Sequence, residues 1–261
     1  MYLDLVGKRA IVCGSTQGIG KASAIELASM GASITLIARN EEKLRTVLLE
    51  LDSSRGQKHN YIVADFSRSQ ELKNKVEEYL SSNVVEILVN NTGGPPAGQA
   101  INAKPEDFVK AFSEHLLCNH ILAQAVVPGM KSKNYGRIIN IISTSVKIPI
   151  KGLGVSNSIR GAVASWSKTL ANELGQFGIT VNNVLPGSTM TARLEDVLNG
   201  KAAQTGKSFD QLKQEMIEEI PAKRIGEPHE IAAVVGFLAS PAAGYINGVN
   251  IPVDGGRTGA L

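Results

Sequence analysis

Seven short apolar runs, at 9–13, 33–38, 60–64, 86–90, 137–142, 180–184 and 249–253, recur along the 261 residues with helical patterns between them. They are rich in Ile and Val and mostly apolar throughout rather than alternating, which is how a strand reads when both of its faces are covered. Strand–helix units in series predict an α/β protein with a doubly wound parallel sheet and helices on both faces. Hydrophobic residues make up 43% of the chain, enough for a sizeable core and too many for a disordered chain. No internal repeat, low-complexity tract or Pro/Ser-rich linker divides the sequence, so residues 1–261 read as one domain.

The charge balance, 27 basic against 24 acidic residues, is small and scattered and gives no ground for a nucleic-acid partner. No run approaches the roughly 18–20 apolar residues of a membrane span. Residues 1–15 lack a basic stretch followed by an apolar core and a small-residue cleavage site, so a cytoplasmic location is expected. Cys13 and Cys118 are too few for a disulfide framework or a metal cluster, and no metal site is expected.

After the first run the chain reads Gly14-Ser15-Thr16-Gln17-Gly18-Ile19-Gly20 and passes into a helical stretch. Glycines at a strand-to-helix turn let backbone amides approach a pyrophosphate, and the helix N-terminus adds partial positive charge. Gly14, Ser15, Gln17, Gly18, Ile19 and Gly20 are therefore candidate cofactor contacts. An acid that grips a ribose 2′-hydroxyl belongs roughly 20 residues further on, where this sequence has Ala38-Arg39-Asn40. A guanidinium forks onto a 2′-phosphate that a carboxylate would repel. Arg39 thus favours NADP(H), with NAD(H) possible.

Two further patterns bear on the site. Between Leu185 and Pro228 no strand candidate occurs, while Phe209, Leu212, Met216, Ile217 and Ile220 form a short amphipathic pattern. An excursion there, at about 188–225, sits where a ligand lid belongs in a parallel sheet. Val155, Ile159, Ala162, Val163, Trp166 and Leu170 make an apolar helical stripe, either core or a subunit contact.

These motifs resemble the short-chain dehydrogenase/reductase superfamily over the whole chain, with the overall look of the 3-oxoacyl-acyl-carrier-protein reductases. The glycine loop has the family's G-x3-G-x-G spacing, with Cys13 in place of the usual Thr before it. Asp65 matches the family's adenine contact, and Asn90-Asn91-Thr92-Gly93 resembles its N-N-A-G turn, with Thr92 for Ala. The segment from Gly136 to Ser143 is similar to the strand that ends at the active-site Ser. Pro186-Gly187 followed by Thr191 resembles the turn and Thr beside the nicotinamide, and 224–256 resembles the C-terminal signature. The resemblance implies a Rossmann-like sheet, a nicotinamide cofactor held also by Asp65, Asn91, Thr92, Gly93, Pro186, Gly187 and Thr191, a small-molecule substrate and a homo-oligomer, tetramer or dimer.

The catalytic set departs from the family. Its members use Asn, Ser, Tyr and a Lys four residues after the Tyr. None of this chain's five tyrosines has Lys four places on. The family spacing from Ser143 places Ser156 at the Tyr and Arg160 at the Lys, and counting back places His115 at the Asn. A Ser hydroxyl is no phenol, and Arg does not release its proton near neutrality. His115 is then the member of the set whose ordinary titration falls near pH 7, a candidate acid–base. Arg160 suits a carboxylate or phosphate on the ligand. Three readings follow: an oxidoreductase with a modified site, in which Ser143 polarises a carbonyl and His115 or water supplies the proton; a nucleotide-binding sensor or scaffold without turnover; and, ranked third, non-redox chemistry like that of the halohydrin dehalogenases. The Gly94-Pro95-Pro96 stretch stiffens the rim of the pocket.

Overall fold

The computed structural model describes residues 2–260. Seven strands, β1 (Arg9–Cys13), β2 (Ser33–Ala38), β3 (Asn60–Val63), β4 (Ile87–Asn90), β5 (Gly136–Ile141), β6 (Ile179–Pro186) and β7 (Asn250–Val253), form one sheet. Its order is β3-β2-β1-β4-β5-β6-β7, and every neighbouring pair is parallel. Each strand lies on one of the seven apolar runs, with ends shifted by no more than two residues.

Helices α1 (Gly18–Ser29), α2 (Glu41–Leu49), α3 (Ser69–Leu80), α4 (Pro105–Phe112), α5 (Cys118–Lys133), α6 (Gly154–Leu174), α7 (Ala192–Thr205), α8 (Phe209–Glu218) and α9 (Pro228–Ala239) connect and cover the strands. Both faces of the sheet are dry, as the continuous apolar runs require. Ala10 and Val12 of β1 join one core with Leu27 of α1 and Val235 of α9. The alternate residues Ile11 and Cys13 join the other, with Leu72 of α3 and Leu122 of α5. The chain winds outward from β1 to β3 and then returns to the other side of β1 with β4. The crevice beyond the carboxyl ends of β1 and β4 is therefore the topological switch point, where such sheets bind ligands.

Three features were not legible beforehand. A π-helical turn, Ser113–Leu117, joins α4 to α5 without a break. Asn90, Asn140, Asn183 and Asn250 stand directly opposite one another across β4, β5, β6 and β7. Their amides are linked in series at 2.8, 3.0 and 2.8 Å, with Ser167 of α6 bonded to both middle members. The 185–228 excursion holds two helices, α7 as well as the α8 that carries the amphipathic pattern, with Leu212 and Ile220 buried.

The stripe on α6 needs a correction as an argument for a subunit contact. Val155, Ile159 and Val163 are buried within the chain, and Trp166 and Leu170 pack against the cores. The Trp166 indole also donates to His120 Nδ1 at 3.3 Å. Among the apolar side chains left exposed, Val109, Phe112 and Leu117 lie on α4 and the π turn.

Candidate active site

The glycine loop is fixed by contacts that leave no room for side chains. Gly14 has a φ of +58°, and a Cβ there would lie 2.5 Å from the Asn91 carbonyl oxygen. A Cβ at Gly20 would lie 2.2 Å from the Gly14 carbonyl oxygen. Asn91 Nδ2 donates to the carbonyls of Cys13 and Gly14, each at 3.3 Å, which ties the end of β1 to the turn after β4. Gly18, with φ +54°, faces the Thr191 methyl, so the loop also meets the segment after β6. Ser15 is fully buried and its hydroxyl donates to the Ile37 carbonyl at 3.4 Å. Its side chain anchors the loop to β2 rather than facing a ligand.

The start of α1 fits a pyrophosphate. Gln17 occupies the cap position without a side-chain hydrogen bond to the helix, and the first turn holds no acid. Its leading amides are thus free to receive an anion. At the end of β2, Ala38 is buried and Arg39 is exposed, while Asn40 caps α2 by accepting from the Lys43 amide at 2.9 Å. Asp65 accepts from the Ser67 amide at 2.9 Å. That bond holds its carboxyl below the ordinary range, with Arg39 and Arg68 as additional causes. Arg39 and Asp65 are therefore neighbours at the position for the adenosine end of a dinucleotide.

At the other end of the crevice two of the four predicted catalytic positions, His115 and Arg160, come together around Thr92. Ser143 follows β5 and caps a short turn, its Oγ accepting from the Ser145 amide at 3.1 Å. Ser156 lies in the first turn of α6, half-buried, and its hydroxyl has no hydrogen-bond partner among the described residues. One turn on, Arg160 is 7% exposed. It donates from Nη1 to the Ile141 carbonyl at 3.1 Å and from Nη2 to the Thr92 carbonyl at 3.4 Å. Thr92 in turn is hydrogen-bonded through Oγ1 to His115 Nδ1. Thr92, His115 and Arg160 thus form one cluster that clasps the ends of β4 and β5.

His115 does not have the titration expected of it. It sits on the π turn at 1% exposure. Burial, and secondarily the Arg160 charge, push its pKa down to about 3. Desolvation disfavours the imidazolium, and a guanidinium nearby disfavours it further. The ring is neutral at pH 7, and its Nε2 is buried without a partner in the described structure. His115 holds Thr92 through its Nδ1, and its burial opposes acid–base work near pH 7.

Several positioning residues escaped the sequence reading. The amides of Gly98 and Gly154 pair with the carbonyls of Gly152 and Gly98 at 2.7 and 2.9 Å, zipping the rim after Pro96 to the start of α6. Asn157 holds the loop before α6 by a two-way bond with Ile150. Arg193, at the start of α7, donates to the Pro95 carbonyl at 2.7 Å. Glycine spacing and a lone Arg in an excursion were the only signals of these contacts. Two residues that the sequence did name are also placed: Thr191 caps α7 by accepting from the Leu194 amide at 3.3 Å, and the Gly187 amide donates to Val253 at 3.0 Å.

A switch-point crevice with a glycine loop on β1, an Asn-held turn on β4 and a Ser after β5 defines a class. The family model described as "Enoyl-(Acyl carrier protein) reductase" matches residues 14–258. The chain belongs to the short-chain dehydrogenase/reductase superfamily and is an oxidoreductase of that class. It is 34% identical over 251 residues to the 3-oxoacyl-[acyl-carrier-protein] reductase of Haemophilus influenzae, covering 96% of this chain and 98% of that one. The structure of L-sorbose reductase from Gluconobacter frateurii, complexed with NADPH and L-sorbose, superposes with a TM-score of 0.93 at 30% identity and covers both chains completely. A gluconate 5-dehydrogenase from Burkholderia cenocepacia, in complex with NADP and tartrate, gives a TM-score of 0.87 at 30% identity over 100% of this chain and 98% of that one. Among the described residues no helix is long and apolar enough to cross a membrane.

Proposed function

We propose that the protein is an NADP(H)-dependent oxidoreductase that reduces a carbonyl or oxidises an alcohol on a small molecule, resembling 3-oxoacyl reductases in cofactor handling but working with a different proton-transfer set. The observation that carries this is the glycine loop closed on Asn91 and Thr191 with Arg39, and no acid, at the end of β2. The free amides of α1 and the Arg39 guanidinium hold phosphates, and Asp65 takes the adenine end. When bound, the nicotinamide supplies or accepts the hydride. Ser143 and Ser156 present hydroxyls to the substrate oxygen. Arg160 stays protonated, its pKa lowered only to about 10, chiefly by burial and then by Arg193. It orders the ends of β4 and β5 and releases no proton. With His115 neutral, the proton comes from water that reaches the two serines.

The segment 188–225 acts as a lid over the substrate, on the same single domain. The exposed Val109, Phe112 and Leu117 support a homo-oligomer, a tetramer or dimer, and the chain is assigned to the cytoplasm. Substrates carrying an anionic group are favoured by the cations at the crevice. A second reading, a nucleotide-binding sensor or scaffold, is favoured by one observation: the family's Tyr and Lys positions hold Ser156 and Arg160. NADPH fluorescence titration followed by a carbonyl panel separates the two. Saturable binding with consumption of NADPH is expected; binding with no turnover on any carbonyl favours the scaffold, and no binding removes both.

A further inference from the structure

Two guanidiniums converge on one empty point at the rim of the crevice. A Cβ built on Gly94 would lie 3.9 Å from Arg160 Nη2 and 3.9 Å from Arg193 Nη2, with no other atom beyond the glycine's chain neighbours within 4 Å. Neither arginine forms a salt bridge with a carboxylate of the described residues. Arg160 is more than nine-tenths buried, and its contacts are the two carbonyls of Ile141 and Thr92. A guanidinium has five N–H donors, so three of its five are left uncommitted. The chain's other buried guanidinium shows what a purely structural one looks like. Arg137 donates to the carbonyls of Gly136, Gly178 and Ser240 and lies 4.1 Å from the centre of the Tyr135 ring. Arg160 has instead a second cation as its neighbour, which adds to burial, the larger cause, in lowering its pKa. Like charges held side by side without a counter-charge are costly unless an anion joins them.

We infer that Arg160 and Arg193 together seat the carboxylate of the substrate, so that the enzyme acts on a small oxo acid or the matching hydroxy acid, with Arg193 as a specificity-determining residue carried by the lid. The inference rests on the oxidoreductase reading and adds to it the substrate's charged end. The Arg160 fork is fixed by the strand ends, whereas Arg193 reaches the seat from α7 while its other bond, to Pro95, ties α7 to the rim. Arrival of the carboxylate therefore neutralises the two cations and secures the lid helix in one step. The seat's chemistry also fits the cofactor's pyrophosphate, and the test distinguishes the two sources.

Short-chain oxo acids are assayed with NADPH, each against its own methyl ester, in wild type, Arg193→Ala and Arg193→Lys. Charge-assisted hydrogen bonds of this kind correspond to roughly 10–100-fold in kcat/KM. The acid-over-ester preference should be of that size in wild type, should collapse in Arg193→Ala mainly through KM, and should be partly kept by Arg193→Lys. Gly94→Asp, which places a carboxylate between the two guanidiniums, should abolish the acid preference without removing either arginine. Equal use of acid and ester by wild type overturns the proposal. A fall in NADPH affinity in Arg193→Ala, with the acid preference intact, assigns the pair to the cofactor's pyrophosphate and also overturns it. Tartrate and its dimethyl ester, compared by thermal shift of the NADP-bound protein, give a readout independent of turnover. Arg193-dependent stabilisation by tartrate alone supports the seat even if no carbonyl is reduced, which would sink only the oxidoreductase reading. No stabilisation by tartrate together with no acid preference sinks the seat.

Discussion

The two ends of the crevice are built from different materials. The nucleotide end is made by the main chain: glycines at 14, 18 and 20, free amides at the start of α1, and one Asn that bridges two carbonyls. The chemistry end is made by side chains: Ser143, Ser156, Arg160, His115 and Thr92. A site formed by backbone approach tolerates almost no substitution, because a Cβ at the wrong point collides with a carbonyl. A side-chain site can be rewritten one residue at a time, provided each newcomer finds partners. Arg160 satisfies that condition with the carbonyls of Ile141 and Thr92, which clasps the sheet ends.

The sharpest way to break this contrast is to add a single methyl group at the nucleotide end. Gly20→Ala puts a carbon 2.2 Å from the Gly14 carbonyl oxygen, and a forced opening of the loop costs about 3 kcal/mol. NADPH affinity should fall by about 100-fold, read by fluorescence titration, with a lowered melting temperature alongside. An unchanged Kd would mean that the loop is not the nucleotide seat.

Arg39→Ala tests the side chain to which the preference for NADP(H) is assigned. Loss of a charge-assisted contact to a 2′-phosphate corresponds to about 1.5–3 kcal/mol. NADPH should bind roughly 10–100-fold more weakly while NADH is nearly unaffected. Equal losses for both cofactors would detach the preference from Arg39.

The smallest effect concerns His115 and appears in stability rather than in rate. Its folded pKa, about 3, lies below the ordinary 6.5. The contribution is complete above about pH 6.5 and declines as pH falls towards 3, because only the unfolded chain takes up the proton in that window. Between pH 7 and pH 5 the loss is about 2 kcal/mol. Urea melts at both pH values should show it in wild type and not in His115→Asn. Between pH 6 and 8 the activity profile of that variant should match wild type; a profile that flattens there would restore His115 as an acid–base.

The strands, their parallel pairing and the glycine loop could be read from the sequence because each is specified locally. A dry sheet needs unbroken apolar runs, and a tight β–α turn needs glycine at fixed spacing. Motif spacing proposed Ser143, Ser156 and Arg160 as site residues, and the structure brings Arg160 to Thr92 and His115 as neighbours. The protonation of His115 was not legible, because it depends on what packs around a π turn that nothing in residues 105–133 announces. Arg193 was missed for a similar reason: it looks like a solvated charge until α7 brings it to Pro95 and Gly94.

The amino-acid sequence by itself determined the layered α/β plan and the nucleotide turn, and its motif spacing set Ser156 and Arg160 where the family has Tyr and Lys. Only the tertiary structure decided what those substitutions do. Asn90, Asn140, Asn183 and Asn250 are single polar residues in four separate runs, and they become a ladder only because the strand register sets them opposite one another. In the same way the pKa of His115 falls through burial, and Arg160 and Arg193 approach one point, because segments remote in the chain meet there. Hydrogen bonding, desolvation and charge–charge interaction act across a few ångströms, and it is the folded chain, not the order of residues, that sets those distances.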